Sequence, residues 1–331
     1  MIKVSIVIPT FNRCESVKHV LTALTAQTYS DEDFEVIVSI DGSEDDTRRM
    51  VEQFDSPYTL RSIWEPNNGR AAACNRGIRA ANGDVIILLD DDMEPSPRLV
   101  EAHYLAHSSA SNFGIIGASP IVIDESSTLA ARYIASEFNS RQEKMADIGY
   151  NFQIWDFYSG NFSIRRKIVL DAGGYNESFK RYGYEDIELA YRLIQSGVEF
   201  VYSPDAVCIQ HYNESFKSLA MKTISSGRTT VTIVNLHPDL FCELKLREYN
   251  LTGWKWRSLR LMMIWVSILV PFTTSALIIL INLSAKLIPS LQKKLYSLGL
   301  DYLFWLGVWS EMRTTNSKYL IPKIKTWKLL R

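Results

Sequence analysis

The apolar run Val85–Leu89 leads directly into three aspartates, and this junction limits the possible folds more than any other part of the sequence. Five apolar residues without polar alternation are typical of a strand buried on both faces, as in a parallel sheet covered by helices. Ligands of open α/β sheets bind outside the carboxyl ends of such strands. Because Asp90, Asp91 and Asp92 would repel one another there, the pattern favours a divalent metal ion with carboxylate ligands. The alternative is that these acids cap the next helix.

Strand-like and helix-like runs alternate over the first hundred residues. The strand-like runs are Val4–Ile8, Glu35–Ile40, Thr59–Trp64 and Val85–Leu89, and the helix-like runs between them are Glu15–Ala26, Asp45–Phe54 and Arg70–Ala81. Ser43 and Asp46 resemble a capping box for the second helix. This order predicts an α/β fold with a parallel sheet and right-handed crossovers. Mixed elements follow, with strands at Ile115–Ser119, Phe200–Tyr202 and Ala206–Gln210, and helices at Ile187–Gln195 and Ser215–Leu236.

The C-terminal part of the chain is apolar and basic. Leu261 to Ala285 is a 25-residue stretch without a charged side chain, long enough to span a bilayer, although Pro271 also permits a buried helical hairpin. From Leu251 onward, twelve Lys and Arg against two acids give a balance of +10, so with −1 overall the first 250 residues carry −11. We therefore predict a domain at 1–240 and, at 241–331, a helical tail that associates with a membrane surface.

Tryptophans strengthen the membrane prediction for this tail. They lie close to basic residues, as in the aromatic belts of membrane interfaces, at Trp254, Trp256, Trp305, Trp309 and Trp327. A single span would place the far end of the basic tail opposite the catalytic domain, against the positive-inside tendency. A re-entrant or interfacial pair of helices avoids this conflict, and a soluble helical core is the alternative. We expect no nucleic-acid partner, because apolar Trp-rich runs interrupt the charge.

Several classes of protein are disfavoured because their motifs are missing. No G-x-G-x-x-G follows a strand, and there is no G-x-x-x-x-G-K-[ST], which argues against dinucleotide oxidoreductases and P-loop kinases. The four cysteines form no C-x-x-C pair, so we expect a reducing compartment and neither a zinc site nor a disulfide framework. The first residues lack the cleavage site of a signal peptide.

Four segments, in a fixed order, resemble family 2 glycosyltransferases of the GT-A fold over roughly residues 2 to 240. They are Val4–Arg13, Val36–Ser43, Asn67–Ile78 leading to Asp90–Asp92, and Gly160–Ile164 followed by Tyr184–Leu193. The resemblance implies a Rossmann-like, mixed but mainly parallel sheet flanked by helices, and sugar transfer with inversion. The chain lacks the Q-x-x-R-W of processive members, so we expect one sugar to be transferred per binding event.

The resemblance also implies which residues bind the nucleotide sugar. Pro9, Thr10 and Phe11 would form the floor and wall of the base pocket. Asp41 would contact the base or ribose, although it equally fits a turn. Here the chain departs from the family, which often has Asp-Asp-Gly-Ser, because Ile40 replaces the first acid. Arg70 would pair with the diphosphate, or be a solvated surface charge.

The aspartate triplet would hold the ribose and a cofactor. Asp91 would contact the ribose and Asp92 would bind Mn²⁺ or Mg²⁺, while Asp90 would shape the loop or act as a further ligand. His211 follows a strand-like run and is a candidate third ligand, although a lone histidine is also compatible with a structural role.

The acceptor side of the reaction is assigned to the Glu185–Asp186 pair. By resemblance, Asp186 would be the general base that takes the proton of the acceptor hydroxyl, and Glu185 would orient the acceptor. We predict transfer from a nucleotide-diphosphate sugar, with UDP favoured, to a lipid-linked glycan at the cytoplasmic face of the cell membrane. The alternatives are a polyprenyl-phosphate sugar synthase, which needs little base catalysis, and a non-catalytic nucleotide-sugar-binding scaffold.

Overall fold

The structure is a computed structural model, and it describes residues 2–108, 112–244, 246, 253–269 and 272–315. Within these residues the chain forms two compact units. The first comprises Met1–Asp124, Ala135–Lys180 and Glu185–Tyr212, and the second comprises Glu125–Ile134, Arg181–Tyr184 and Asn213–Arg331. The domain boundary at residue 240 stays a prediction.

The first unit is built on a mixed sheet of eight strands among the described residues. The strands are β1 Val4–Thr10, β2 Phe34–Asp41, β3 Thr59–Glu65, β4 Val85–Leu89, β5 Met93–Pro95, β6 Phe113–Ala118, β7 Asn161–Arg165 and β8 Glu199–Gln210. Their order is β3-β2-β1-β4-β7-β6-β8-β5. The strands β3, β2, β1 and β4 are parallel, and β7 is antiparallel to both of its neighbours. The predicted mixed, mainly parallel sheet is confirmed.

The helices follow the predicted alternation in the first part of the chain. They are α1 Cys14–Leu24, α2 Thr47–Glu52, α3 Arg70–Ala80, α4 Leu99–Ala106, α5 Leu129–Met145, α6 Arg166–Asp171 and α7 Glu185–Gln195. The side chains of Val4, Ile6 and Ile8 in β1 are fully buried with those of Val17 and Leu21 in α1. Every residue of β1 is buried, so the strand is covered on both faces.

One predicted helix start is wrong. The second helix begins at Thr47, because the Asp45 side chain accepts the N–H of Thr47 at 3.1 Å. Ser43 instead accepts the N–H of Asn12 at 2.8 Å, so Ser43 and Asp46 form no capping box. Ser43 therefore ties the loop after β2 to the loop after β1.

The second unit is helical. Its further helices are α8 Phe216–Leu236, α9 Trp254–Leu269, α10 Phe272–Leu287 and α11 Gln292–Thr315. Gly227 in α8 faces Phe304, and Gly307 in α11 faces Ile224, so closely that an added Cβ would collide with the opposing carbonyl oxygen. These two glycines allow α8 and α11 to pack at short distance.

The apolar stretch from Leu261 to Ala285 is divided between α9 and α10, while Pro271 lies outside the described residues. Within the described residues, no single helix combines the length and apolar composition that a bilayer span needs. The consecutive segments Phe272–Leu287 and Pro289–Thr315 meet both criteria only as a pair, bent by 120°.

The predicted tryptophan belt is only partly compatible with the structure. Trp305 and Trp309 are buried in the packing of α11, so these two side chains form no exposed belt. The guanidinium of Arg260 lies 5.1 Å from the ring of Trp305, which accounts for a basic residue beside a buried tryptophan. Trp327 lies outside the described residues.

Candidate active site

Three of the predicted site segments reach one edge of the sheet. Strands β2 and β4 are the parallel neighbours of β1, so their carboxyl ends point the same way. Thr10 ends β1, Asp41 ends β2, and Asp90 directly follows β4. Pro9 is buried in β1, whereas the side chain of Phe11 is 48% exposed at the mouth of this edge. The predicted convergence of these loops is confirmed.

Asp91 lies against the end of β1. The hydroxyl of Thr10 donates a hydrogen bond to Oδ2 of Asp91 at 2.7 Å. The guanidinium of Arg13 lies 3.6 Å from Asp91 and 3.8 Å from Asp92. Burial raises the pKa of Asp91 to about 6; Arg13 and Thr10 oppose this, while Asp90 and Asp92 add to it. A cation at these acids would favour their ionised forms, which fits the predicted metal site.

Asp90 contacts a different set of groups. One nitrogen of Arg70 lies 2.5 Å from Oδ1 of Asp90. The other terminal nitrogen lies 3.2 Å from the hydroxyl oxygen of Ser159 and 3.9 Å from Oε1 of Glu185. We call Arg70, Asp90, Ser159, Glu185 and Asp186 the Arg70 cluster. The triplet is thus divided, with its first acid bound to Arg70 and its other two beside Arg13.

Asp186 lies in the first turn of α7, next to Glu185. One of its oxygens accepts the N–H of Ile187 at 2.8 Å. Burial raises the pKa of Asp186 well above the usual carboxyl range, and the charge of Glu185 raises it further against the opposing effect of Arg70. A carboxylate with a pKa raised toward neutrality has the property that a general base needs.

Asp41 has structural partners at the same edge. Its carboxylate accepts the N–H groups of Asn68 and Gly69 at 3.0 and 2.9 Å, and Arg76 at 3.0 Å. These contacts fix the loop that begins α3 and therefore the position of Arg70. A contact of Asp41 with the base or ribose remains a prediction.

A cavity of about 470 Å³ adjoins the triplet. Asp91, Asp92 and His211 line it together with residues of α1 that include Glu15 and His19. The backbone N–H of His211 donates to the carbonyl of Asp92 at 3.1 Å. Carboxylate oxygens suit Mn²⁺ or Mg²⁺, so Asp92 fits the predicted ion. His211 lines the same cavity and stays a candidate ligand. Asp90 is paired with Arg70 and His211 with Glu94, so a metal ion at either residue would compete with an existing partner.

Gly160, directly before β7, and Asn161, the first residue of β7, support the site. A Cβ at Gly160 would lie 2.6 Å from Oδ2 of Asp90, so the close approach of Asp90 requires glycine. The buried amide of Asn161 donates to the carbonyls of Ala118 and Ala206 at 3.1 and 2.9 Å. These two residues thus hold the loop after β4 and the neighbouring strands in register.

Sequence reasoning gave no role to several residues of the site. Arg13 and Arg76 lie within the quoted motifs, but arginine on a loop or helix is usually solvated, and only their contacts reveal their partners. Ser159 adjoins the Gly160 motif and could have been found there. No sequence pattern indicated a role for His19, because the residues of α1 have the pattern of an ordinary amphipathic helix. Glu94 lies two residues after the triplet, where it appeared to be part of the acidic run.

Comparisons with known proteins identify the family of the chain. The family described as glycosyl transferase family 2 matches residues 5–173, and the N-terminal domain of galactosyltransferase matches residues 139–217. The uncharacterized glycosyltransferase YfnE of Bacillus subtilis is 30% identical over 64% of this chain and 66% of its own length. Validoxylamine A glucosyltransferase of Streptomyces hygroscopicus is 26% identical over 72% of this chain and 62% of its own. The chain thus spans less than two thirds of the length of either relative.

Solved structures share the fold. The mannosyltransferase PcManGT from Pyrobaculum calidifontis, in complex with GDP-Man and Mn²⁺, has a TM-score of 0.58 at 17% identity and covers 94% of this chain and 87% of its own. TarS 1-349 of S. aureus, in complex with UDP-GlcNAc, has a TM-score of 0.54 at 13% identity, with coverages of 96% and 93%. The family match extends from β1 through β7 and includes the triplet and Arg70. The chain therefore belongs to glycosyl transferase family 2.

Proposed function

We propose that the chain is a metal-dependent inverting glycosyltransferase that moves one sugar from a nucleotide-diphosphate donor to a hydroxyl group. The observation that carries the proposal is the Arg70 cluster. Arg70 lies between Asp90, from the predicted donor side, and Glu185 with Asp186, from the predicted acceptor side. Acids assigned to the donor side and to the acceptor side both lie beside the guanidinium of Arg70. The cluster therefore supports a single site in which donor and acceptor meet.

In this mechanism Asp186 takes the proton of the acceptor hydroxyl as its oxygen attacks the anomeric carbon opposite the diphosphate. Glu185 orients the acceptor, and Arg70 provides a positive charge near the diphosphate. Asp91 binds the ribose. A metal ion held by Asp92 and His211 would supply positive charge that stabilises the leaving diphosphate.

The nucleotide sugar is the better supported half of the substrate pair. Solved structures of the same fold hold GDP-Man and UDP-GlcNAc, which supports a nucleotide-diphosphate sugar as donor. Within that class we favour UDP. For the acceptor we propose a lipid-linked glycan of a cell-envelope or exopolysaccharide pathway.

We further propose that the second unit binds the cytoplasmic face of a membrane. The side chains of Phe272, Ile279 and Leu287 in α10 are 73%, 67% and 72% exposed. Exposed apolar side chains in a chain with a net charge of +10 from Leu251 onward suit an anionic lipid surface. This placement would bring a lipid-linked acceptor to the enzyme.

The reaction is tested with a panel of nucleotide sugars and release of nucleoside diphosphate as the readout. We expect one donor to be consumed in the presence of Mn²⁺ and acceptor lipid. Asp186→Asn should bind this donor as wild type does, yet transfer about 100-fold more slowly or worse. Transfer near the wild-type rate in Asp186→Asn would contradict the base assignment and favour a phosphate acceptor. Binding without turnover by any donor would favour the scaffold alternative.

A further inference from the structure

Three potential metal ligands that lie outside the aspartate triplet meet beside Asp92. They are His19 in α1, Glu94 in β5 and His211 directly after β8. Nε2 of His211 lies 2.6 Å from Oε2 of Glu94, and Nε2 of His19 lies 3.4 Å from the same oxygen. One ligand atom of each residue lies within 4.8 Å of the other two. We call these three residues the His19 cluster.

The fold brings the three residues together from distant parts of the sequence. β5 pairs antiparallel with β8, with Met93 opposite Gln210, so Glu94 lies beside the chain where His211 leaves the sheet. α1 packs against β5 and brings in His19. The two imidazole rings meet edge to face at 5.6 Å. All three side chains are at least 39% exposed, so an ion from solvent can reach them.

We propose that the His19 cluster binds a first-row transition-metal ion such as Zn²⁺ without nucleotide. Two imidazoles and one carboxylate are ligands that such ions prefer, whereas Mg²⁺ prefers oxygen ligands alone. Three protein ligands leave a fourth position open to water or to a phosphate oxygen. The cavity that His19, His211 and Asp92 line provides room at this position.

The distance between His19 and Glu94 fits this assignment, whereas His211 and Glu94 would have to separate slightly. Two ligands held tetrahedrally at about 2.0–2.1 Å from Zn²⁺ lie about 3.3 Å apart. The 3.4 Å between His19 and Glu94 matches that value. The 2.6 Å between His211 and Glu94 is a hydrogen bond, so the ion would replace the bridging proton and the two atoms would separate slightly.

This site is additional to the ion proposed for Asp92. It uses His19 and Glu94, which have no part in the proposed transfer, and it requires no nucleotide. His211 belongs to both proposed ligand sets. The inference therefore rests on the proposed function in one respect only, which is how His211 is shared between the two ions.

The test is a titration of the full chain, freed of any His tag, with Co²⁺ followed by visible absorption and calorimetry in the absence of nucleotide. We expect one Co²⁺ per chain, competition by Zn²⁺, and no displacement by a large excess of Mg²⁺. His19→Ala should weaken binding by at least about tenfold. His237→Ala is the matched control, because it removes a histidine outside the cluster, and it should bind as wild type does.

Glu94→Gln provides a second variant that keeps the size of the side chain, and circular dichroism checks the folding of both. Asp92→Asn should retain nucleotide-free Co²⁺ binding. Unchanged affinity in both His19→Ala and Glu94→Gln, or no saturable binding by wild type, would overturn the proposal. Loss of Co²⁺ in Asp92→Asn alone would assign the ion to the triplet and also overturn it. Nucleotide binding in Mg²⁺ is measured in parallel, so that failure of this site and failure of the proposed function are distinguishable.

Discussion

The environment of Asp186 sets the pH range in which it can act as a base. Burial, together with the charge of Glu185, raises the pKa of Asp186 to about 7. A protonated carboxyl cannot accept the acceptor proton, so activity is present above this pKa and is lost as the pH falls through it. We predict that kcat/KM falls about tenfold per pH unit below about pH 7, measured at saturating metal.

Glu185→Gln is the control for this pH profile. This substitution removes the charge that raises the pKa of Asp186. The pH below which kcat/KM falls should therefore be lower than in the wild type, even if the maximal rate also changes. A wild-type profile that stays flat down to about pH 5 would argue against Asp186 as the base.

Gly160 allows Asp90 to reach Arg70. In Gly160→Ala the new Cβ would lie 2.6 Å from Oδ2 of Asp90 and 3.0 Å from Cε of Met93, so Asp90 must move. We expect about 100-fold slower transfer, as for misplacements of about 1 Å, and a loss of about 1–3 kcal/mol in the free energy of unfolding. Gly253→Ala is the control, because an added Cβ there meets open space. It should change neither the rate of transfer nor the free energy of unfolding. Normal transfer by Gly160→Ala would show that Asp90 is not held in place for the reaction.

The sequence predicted these residues through their motifs, but their partners depend on the fold. The ribose was predicted for Asp91, the metal for Asp92, and the loop or a further ligand position for Asp90. The pairing of Asp90 with Arg70, and of the other two with Arg13, was not predicted. Consecutive residues at the end of a strand point in different directions, and no pattern of residue types specifies which neighbour each one meets.

At the scale of elements, the pair of Arg76 and Asp41 links α3 to β2. Their charged groups are 3.0 Å apart and both side chains are only 5% exposed. Arg76→Leu would leave Asp41 buried without its counter-charge, and we expect it to lower the free energy of unfolding by about 3–5 kcal/mol in urea titrations.

Arg79→Leu is the matched control in the same helix. Arg79 is 58% exposed and lies 3.6 Å from Glu177, so its replacement should cost no more than about 1 kcal/mol. Equal effects of the two substitutions would mean that the buried pair does not stabilise the α3–β2 junction.

Strands with uniform apolar runs were predictable, and irregular ones were not. β4 has its predicted bounds, Val85–Leu89, because all five side chains are buried. β8 is one strand, although Phe200–Tyr202 and Ala206–Gln210 were predicted separately, since Pro204 interrupts the pattern. The pairing with β6 shifts register between Ser203 and Val207, so the proline lies at an irregularity that the strand tolerates. β7 was recognised as a motif but not as a strand.

At the scale of the whole molecule, the membrane proposal predicts binding to lipid vesicles. The full chain should co-sediment with anionic vesicles and less with neutral ones, and added salt should weaken the interaction. Replacing Ile279 and Leu283 of α10 together by serine should reduce binding, because both side chains are at least 50% exposed.

Val122→Ser is the control, since Val122 is also apolar and 52% exposed but belongs to the first unit. The membrane proposal would be contradicted if the wild-type protein did not co-sediment with anionic vesicles. It would also be contradicted if the double variant co-sedimented with them as strongly as the wild type. The sequence could not decide how this region is arranged, because a 25-residue apolar stretch is long enough for a span and also fits a re-entrant pair or a packed hairpin.

The proposed function depends on a nucleotide-diphosphate site built on the triplet, and calorimetric titration measures binding at this site. UDP, GDP, dTDP and CDP are titrated into the full chain with and without Mn²⁺, beside Asp92→Asn. We predict that one nucleotide, with UDP favoured, binds only with the metal, and that Asp92→Asn abolishes this binding. No binding of any nucleotide under either condition, or equal binding by Asp92→Asn, would contradict the account.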